Sequence, residues 1–144
     1  MKITGTVTIS APRQKVWDAL NDPAVLSKAI PGCEKFEKIG DEEYAITQTV
    51  GIASIRGRYT GKMAMRDKKP PESCTLKIEG KGPGGFVNGT AKVTLPDGGD
   101  KTELSYDSDM QVGGLLASLG SRLIEPVAKQ LVGQFFKSLE QQIR

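Results

Sequence analysis

The sequence predicts an α+β fold of one domain spanning residues 1–144: a seven-stranded, curved antiparallel sheet around a long C-terminal helix, with two short helices between strands one and two. Three observations predict it. Apolar residues recur with period two from Cys33 to Gly113, turn residues interrupt them at regular intervals, and the one long helical pattern lies at the end, from Gly113 to Arg144. Runs joined by hairpins pair antiparallel, and clean alternation gives one wet and one dry face. Only the final helix is large enough to fill the dry face. A sheet of this width twists and curls, so that face becomes a concave groove.

The first strand carries Ile3, Val7 and Ile9 on one face. Ala11-Pro12 ends it, with Pro12 expected at the first position of a helix bearing Val16, Trp17, Ala19 and Leu20. Asn21-Asp22-Pro23 stops that helix and starts another, Asp22 as N-cap and Pro23 at the first position, which ends by Pro31-Gly32. Strand two is expected from Glu34 to Ile39 and strand three from Glu43 to Ile52, with Tyr44, Ile46, Val50 and Ile52 on one face. Strand four, Ile55 to Arg66, divides into Ile55, Tyr59, Met63 and Met65 against Arg56, Arg58, Thr60, Lys62 and Arg66. Strand five turns Cys74, Leu76 and Ile78 inward; strand six runs from Phe86 to Leu95; strand seven, Thr102 to Val112, turns Leu104, Tyr106, Met110 and Val112 inward.

At 1.5 Å per residue the final helix would be about 40 Å long. At about 100° per residue, Leu115, Leu116, Leu119, Leu123 and Ile124 centre on one direction, while Leu131, Val132, Phe135, Phe136, Leu139 and Ile143 centre roughly 150° away. One straight helix cannot turn both stripes to one surface. Pro126 removes a backbone donor and crowds the Arg122 carbonyl, so a bend is expected there or just before it, near Gly120. The N-terminal half then belongs to the groove. The C-terminal half packs on the sheet and short helices, or offers an apolar face to a partner or membrane where it emerges.

Composition narrows the chemistry. Among 144 residues there are 20 basic and 17 acidic side chains, a net charge of +3 and well mixed, which does not call for nucleic acid as a partner. With no histidine and only Cys33 and Cys74, His-ligated zinc, Ser-His-Asp and Cys-His arrangements and CxxC sites are all excluded. Two reduced, structural thiols are expected. The first strand pattern starts at once, without a signal peptide, and no apolar run reaches membrane-spanning length, so a soluble cytoplasmic protein is expected. Asp107, Asp109 and Glu79 alternate with inward residues and should face out, leaving only the hydroxyls of Tyr59 and Tyr106 and the Cys74 thiol inside; this favours binding over catalysis.

Other features have two readings each. Glycines alternating with Tyr59, Met63 and Met65 on strand four fit a cavity wall for an elongated apolar ligand, or a sheet bending around a helix. Arg56, Arg58, Lys62, Arg66, Lys68 and Lys69 form a basic stripe that is either a solvated face or a dock for an acidic partner or anionic lipid. The Gly80 to Gly85 loop joins two strands, so phosphate binding at a helix start does not apply; it reads as a mobile lid or a plain hairpin loop.

This order of elements is the helix-grip architecture. Met1-Lys2-Ile3-Thr4-Gly5, Ala11-Pro12 through Val16-Trp17, Leu20-Asn21-Asp22-Pro23, Ile30-Pro31-Gly32-Cys33-Glu34, Gly40-Asp41-Glu42-Glu43-Tyr44, Gly80-Lys81-Gly82 and Gln111-Val112-Gly113-Gly114 to Gly120-Ser121-Arg122-Leu123-Ile124 resemble the family of the carbon monoxide dehydrogenase protein CoxG, within the START-like, or SRPBCC, superfamily, over essentially the whole chain. The resemblance implies a hydrophobic-ligand-binding domain that accompanies molybdenum-containing CO dehydrogenases or related oxidoreductases, recruits them to the membrane and handles respiratory quinone. Longer family members carry an extra C-terminal tail linked to membrane contact; this chain ends at Arg144, so the resemblance does not by itself supply an anchor.

The expected function is therefore a non-enzymatic carrier whose groove holds an isoprenoid quinone or similar lipid, with no covalent cofactor, no metal and no nucleic acid. A molybdenum hydroxylase-type enzyme and peripheral contact at the inner face of the membrane are the implied partners. The expected lining is Tyr59, Met63, Met65, Leu76, Ile78, Phe86, Met110, Val112, Leu116, Leu119 and Leu123, with Tyr59, Tyr106 and Ser118 as polar contacts for a head group. Two alternatives stand beside it: a tethering protein whose groove is filled by side chains, and a small-molecule enzyme of the cyclase or hydratase kind.

Overall fold

The structure is a computed structural model and describes residues 1–52 and 55–143. Strand β1 (Lys2–Ile9) is followed by helices α1 (Arg13–Leu20) and α2 (Pro23–Ala29). Six strands come next: β2 (Cys33–Gly40), β3 (Glu43–Val50), β4 (Gly57–Lys69), β5 (Ser73–Gly82), β6 (Gly85–Thr94) and β7 (Thr102–Gly113). Helix α3 (Leu115–Ile143) closes the chain; the last residue of the expected helix, Arg144, lies outside the described residues. The strands form one antiparallel sheet in the order β1-β7-β6-β5-β4-β3-β2. Consecutive hairpins build β2 through β7, whereas β1 and β2 occupy opposite edges, so α1 and α2 carry the chain from one edge to the other.

Local details follow from residue chemistry. The Asp22 carboxylate accepts from the Ala24 amide at 3.0 Å and Pro23 opens α2, as expected. Pro12 stands one step earlier than expected, as the N-cap of α1 at φ −63° and ψ 151°: its fixed φ suits the extended residue before a helix as well as the first one inside. Strands three and four stop and start further from their connection than the alternation suggested, since Ile52 and Ile55 lie outside β3 and β4. The Gly80 to Gly85 stretch is neither lid nor long loop. Both strands run on through it, Gly82 pairs with Gly85, and only Pro83-Gly84 turns.

The core occupies one end of the concave face. Cross-strand pairs put Cys74, Val93 and Tyr106 in one row and Met65, Leu76, Ala91 and Ser108 in the next. Against these pack Val16, Trp17, Ala19 and Leu20 of α1 and the C-terminal half of α3 through Val132, Phe135, Phe136 and Leu139. Polar ties hold that half in place: Ser138 Oγ donates to the Lys28 carbonyl at 3.3 Å and Gln142 Nε2 to the Val25 carbonyl at 3.1 Å, both on α2.

Helix α3 is broken at Gly120, whose φ of 74° and ψ of 166° are not helical. The two apolar stripes are thus directed separately, and the break falls at the glycine, with Pro126 inside the second segment. The division of labour is sharp: Leu139 is fully buried, whereas Leu115 is 72 % and Leu123 53 % exposed. Leu139→Ala is expected to lower stability by about 3 kcal/mol and Leu123→Ala by less than about 0.5 kcal/mol, measured by urea denaturation.

Candidate functional site

The groove lies toward the other end of the concave face, and its geometry begins with what the helix leaves uncovered. Ile46, Tyr59, Met63, Ile78, Val87 and Val112 all point to the concave side by register, yet each stays only half-buried. In the core rows, Met65, Cys74, Val93 and Leu104 are buried by the same sheet face. The difference is the helix: the main sheet contacts of α3 are with β1, β6 and β7. The concave side of β3, β4 and β5 away from the core is therefore an apolar surface with little above it.

Glycines widen this space. Gly61 and Gly80 are cross-strand partners on the concave side. At Gly61 a Cβ would collide with the Glu79 carbonyl, so the residue is set by close backbone approach. At Gly80 the nearest atom to an added Cβ is the Thr60 carbonyl oxygen at 4.0 Å, so the missing side chain leaves open room.

Where α3 begins, a depression of about 460 Å³ opens between its first turns and the end of β7. Its walls are Met110, Gln111 and Val112 at the end of β7, Phe86, Met1, and Ala117, Gly120, Ser121 and Ile124 of α3. A volume in this range accommodates a small organic molecule or part of a longer one. The Leu116 amide donates to the Gly84 carbonyl at 2.7 Å, which docks the start of α3 on the β5–β6 turn. The Leu116 side chain and the Tyr59 hydroxyl both border Gly84.

The expected lining residues divide into four groups. Phe86, Met110 and Val112 meet at the mouth; Tyr59, Met63, Leu76 and Ile78 lie half-buried on the concave side, Leu116 is buried against Gly84, and Leu119 is half-buried on the same stretch of α3. Phe86 differs in phase, pairing with Gly113 and alternating with the inward Val87, so its ring crosses Gly113 at the rim. Met65 is part of the packed core and Tyr106 stacks on Phe136 with ring centroids 6.4 Å apart, next to that core. Ser118 and Leu123 do not join the groove: both face solvent, and Ser118 Oγ donates to the Leu115 carbonyl at 2.6 Å. Met1, Ala117, Gly120 and Ile124 are additional wall residues. Ile124 shares the helical stripe of Leu116 and Leu119, a signal present in the sequence; Met1 has no such signal.

The polar inventory is small. The Tyr59 hydroxyl donates to the Ile55 carbonyl at 2.6 Å, and burial pushes its pKa up, so it stays a neutral donor. Gln48, the cross-strand neighbour of Tyr59, donates to the Pro31 carbonyl at 2.8 Å. Ser108 Oγ donates to the Ile3 carbonyl at 2.6 Å. Asp107, Asp109 and Glu79 are exposed, as alternation predicts. Among the described residues no group of three or more Cys, Asp or Glu side chains is placed to hold a metal ion. On the convex face the basic stripe is interleaved with carboxylates: Arg58 pairs with Glu34 at 2.9 Å, Arg66 with Glu43 at 2.8 Å and Lys68 with Glu42 at 3.0 Å. Among the described residues no helix is long and apolar enough to cross a membrane.

The sequence profile of the carbon monoxide dehydrogenase protein CoxG matches residues 5–144. No match was found among curated proteins. Among solved structures, a conserved protein from Geobacillus kaustophilus is 35 % identical, with 99 % of this chain and 95 % of that one covered and a TM-score of 0.96. A START superfamily protein from Mycobacterium smegmatis shares 13 % identity over 99 % of this chain and 96 % of its own, with a TM-score of 0.77. The Zhui aromatase/cyclase from Streptomyces sp. R1128 shares 16 % identity over 99 % and 93 %, with a TM-score of 0.69. These likenesses fix the fold as START-like.

The two thiols give a chemical check on the geometry. Burial raises the Cys74 pKa from the ordinary 9.0 to about 11, and burial also raises that of Cys33, a half-buried residue on the edge strand β2. At pH 8 iodoacetamide should therefore label Cys33 slowly and Cys74 only after unfolding, as read by mass spectrometry. Because its folded pKa is raised, Cys74 contributes stability that is intact below pH 9.0 and lost as pH rises through about 11.

Proposed function

Because this chain belongs to the carbon monoxide dehydrogenase CoxG family and has the START-like fold, we propose that it is a non-enzymatic carrier of a hydrophobic molecule, an isoprenoid quinone or similar lipid, held between the sheet and α3. The observation that carries this reading is a pair of neighbouring cross-strand rows on the concave side, Ile46, Gly61, Gly80, Val87 and Val112 beside Met63, Ile78, Gly89 and Met110, in which the apolar side chains other than Met110 are only half-buried and whose β7 ends, Val112 and Met110, also wall the opening. Apolar area left in contact with water costs about 25 cal/mol per Å², so a ligand that covers it binds through desolvation. Few polar groups are needed for a molecule that is mostly hydrocarbon. The Tyr59 hydroxyl is the best placed to meet a quinone oxygen, by exchanging its bond to Ile55 for one to the ligand.

Turnover of such a ligand has little support from these side chains. A cyclase or hydratase needs an acid or base beside the reacting atom, and the carboxylates nearest the groove in sequence, Glu79, Asp107 and Asp109, are exposed. The proposed role is to deliver or accept the ligand for a molybdenum-containing oxidoreductase of the CO dehydrogenase type. The exposed Phe86 at the opening, with the exposed Leu115 and Leu123 on the first turns of α3, favours a transient apolar contact with the inner membrane face, where a quinone would be exchanged.

Native mass spectrometry of protein purified from quinone-containing cells should show a bound quinone or lipid. An empty protein that also takes up no quinone on incubation sinks the carrier reading. Gly80→Leu places a side chain into the open room without a backbone collision, and it is expected to reduce decylubiquinone binding at least about tenfold with thermal stability unchanged or raised. A tethering protein with a filled groove would instead keep its partner and show no change on that substitution.

A further inference from the structure

We propose that residues 114–120 form a lid over the groove, hinged at Gly114 and Gly120 and latched by Leu116; this rests on the carrier reading. Gly114 has φ 71° and Gly120 has φ 74° with ψ 166°. Side chains are strained at such values, and the second pair belongs to a region occupied almost only by glycine. Each end of the short helical stretch between them therefore turns on a residue free to change its backbone angles. The stretch is too short to be stable alone as a helix. What holds it is local: Leu116, 6 % exposed, is the one buried side chain in it, while Leu115, Ala117 and Ser118 face solvent. The latch combines the Leu116 amide bond to the Gly84 carbonyl at 2.7 Å with its side chain seated on Gly84 beside the Tyr59 hydroxyl.

Position gives this device its use. Ala117 and Gly120 are themselves part of the wall of the opening, and Leu116 sits beside the Tyr59 hydroxyl at Gly84, so swinging the stretch outward widens the opening and uncovers Tyr59. The rest of α3 need not move, because Phe136 and Leu139 fix it in the core and Ser138 and Gln142 tie it to α2. Opening exposes Leu116, uncovers the half-buried Leu119 further and frees the Leu116 amide from Gly84, a small rearrangement that suits repeated loading and release.

The test uses the full chain with Cys33→Ser and Cys74→Ala, carrying Gly84→Cys and Leu116→Cys to lock the latch on oxidation. Uptake and release of anilinonaphthalene sulfonate and of decylubiquinone are followed by stopped-flow fluorescence. The oxidised form is expected to exchange both probes at least about tenfold more slowly than the same protein after reduction. In the otherwise native chain, Gly120→Ala, which forces the hinge toward helical angles, and Leu116→Ala, which removes the latch, should each speed release several-fold while far-ultraviolet circular dichroism stays native. Equal rates in oxidised and reduced forms overturn the lid and leave the carrier reading intact. If the bond does not form, unchanged release in both single variants overturns it. Absence of probe binding in every form overturns the carrier reading, and the lid with it.

Discussion

A helix and a concave sheet of unequal reach set the terms of this molecule. The sheet presents a dry face several strands wide, but α3 lies mainly against β1, β6 and β7. Burial of Phe136 and Leu139, together with Trp17 and Leu20 from α1, satisfies one end of that face and supplies the helical side of the packed core. Each fully buried aliphatic or aromatic side chain is worth about 1.5–3 kcal/mol. The fold can therefore leave the other end open: stability is concentrated where the C-terminal half of α3, α1 and α2 meet, and the rest of the concavity is free to serve another purpose.

The break at Gly120 is what separates these two ends. A continuous helix would hold Leu116 and Leu139 in a fixed angular relation, and their stripes diverge too far for both to reach the sheet. With the break, Leu116 settles on Gly84 while the remainder follows the core. Stability and access are assigned to different lengths of the same element, which lets the opening be loose without loosening the fold.

Much of this was legible in the sequence because period-two alternation and turn residues are local signals. The seven strands, the capping of α2 by Asp22 and the outward Asp107 and Asp109 were all readable from spacing. The divergence of the two stripes pointed to a bend near Gly120, though spacing could not choose between the glycine's free backbone and Pro126, which fits inside the second segment. The side chains that could not be placed are those whose environment depends on that choice. Leu123 shares a stripe with Leu116 and Leu119, yet it lies beyond the break and turns to solvent. Ser118 bonds back to its own turn, a local alternative open to any helical serine. Phe86 reaches only the rim for a different reason: Val87, Gly89, Ala91 and Val93 set the phase of β6, and the tight turn at Pro83-Gly84 carries that phase unbroken to the strand's first residues.

The sheet order also shapes how the chain reaches its native state. β1 is made first but has β7 as its neighbour, so Ile3 waits for Ser108 and Val7 for Leu104 before either can pair. Strands β2 through β7 zip by successive hairpins, each closing a short loop, whereas the β1–β7 closure spans most of the chain and carries the largest loop entropy. During synthesis β1 has no strand to pair with until β7 has been made. The ladder with the longest closure is thus also the one from which α3 departs, since β7 ends at Gly113 and α3 begins at Leu115.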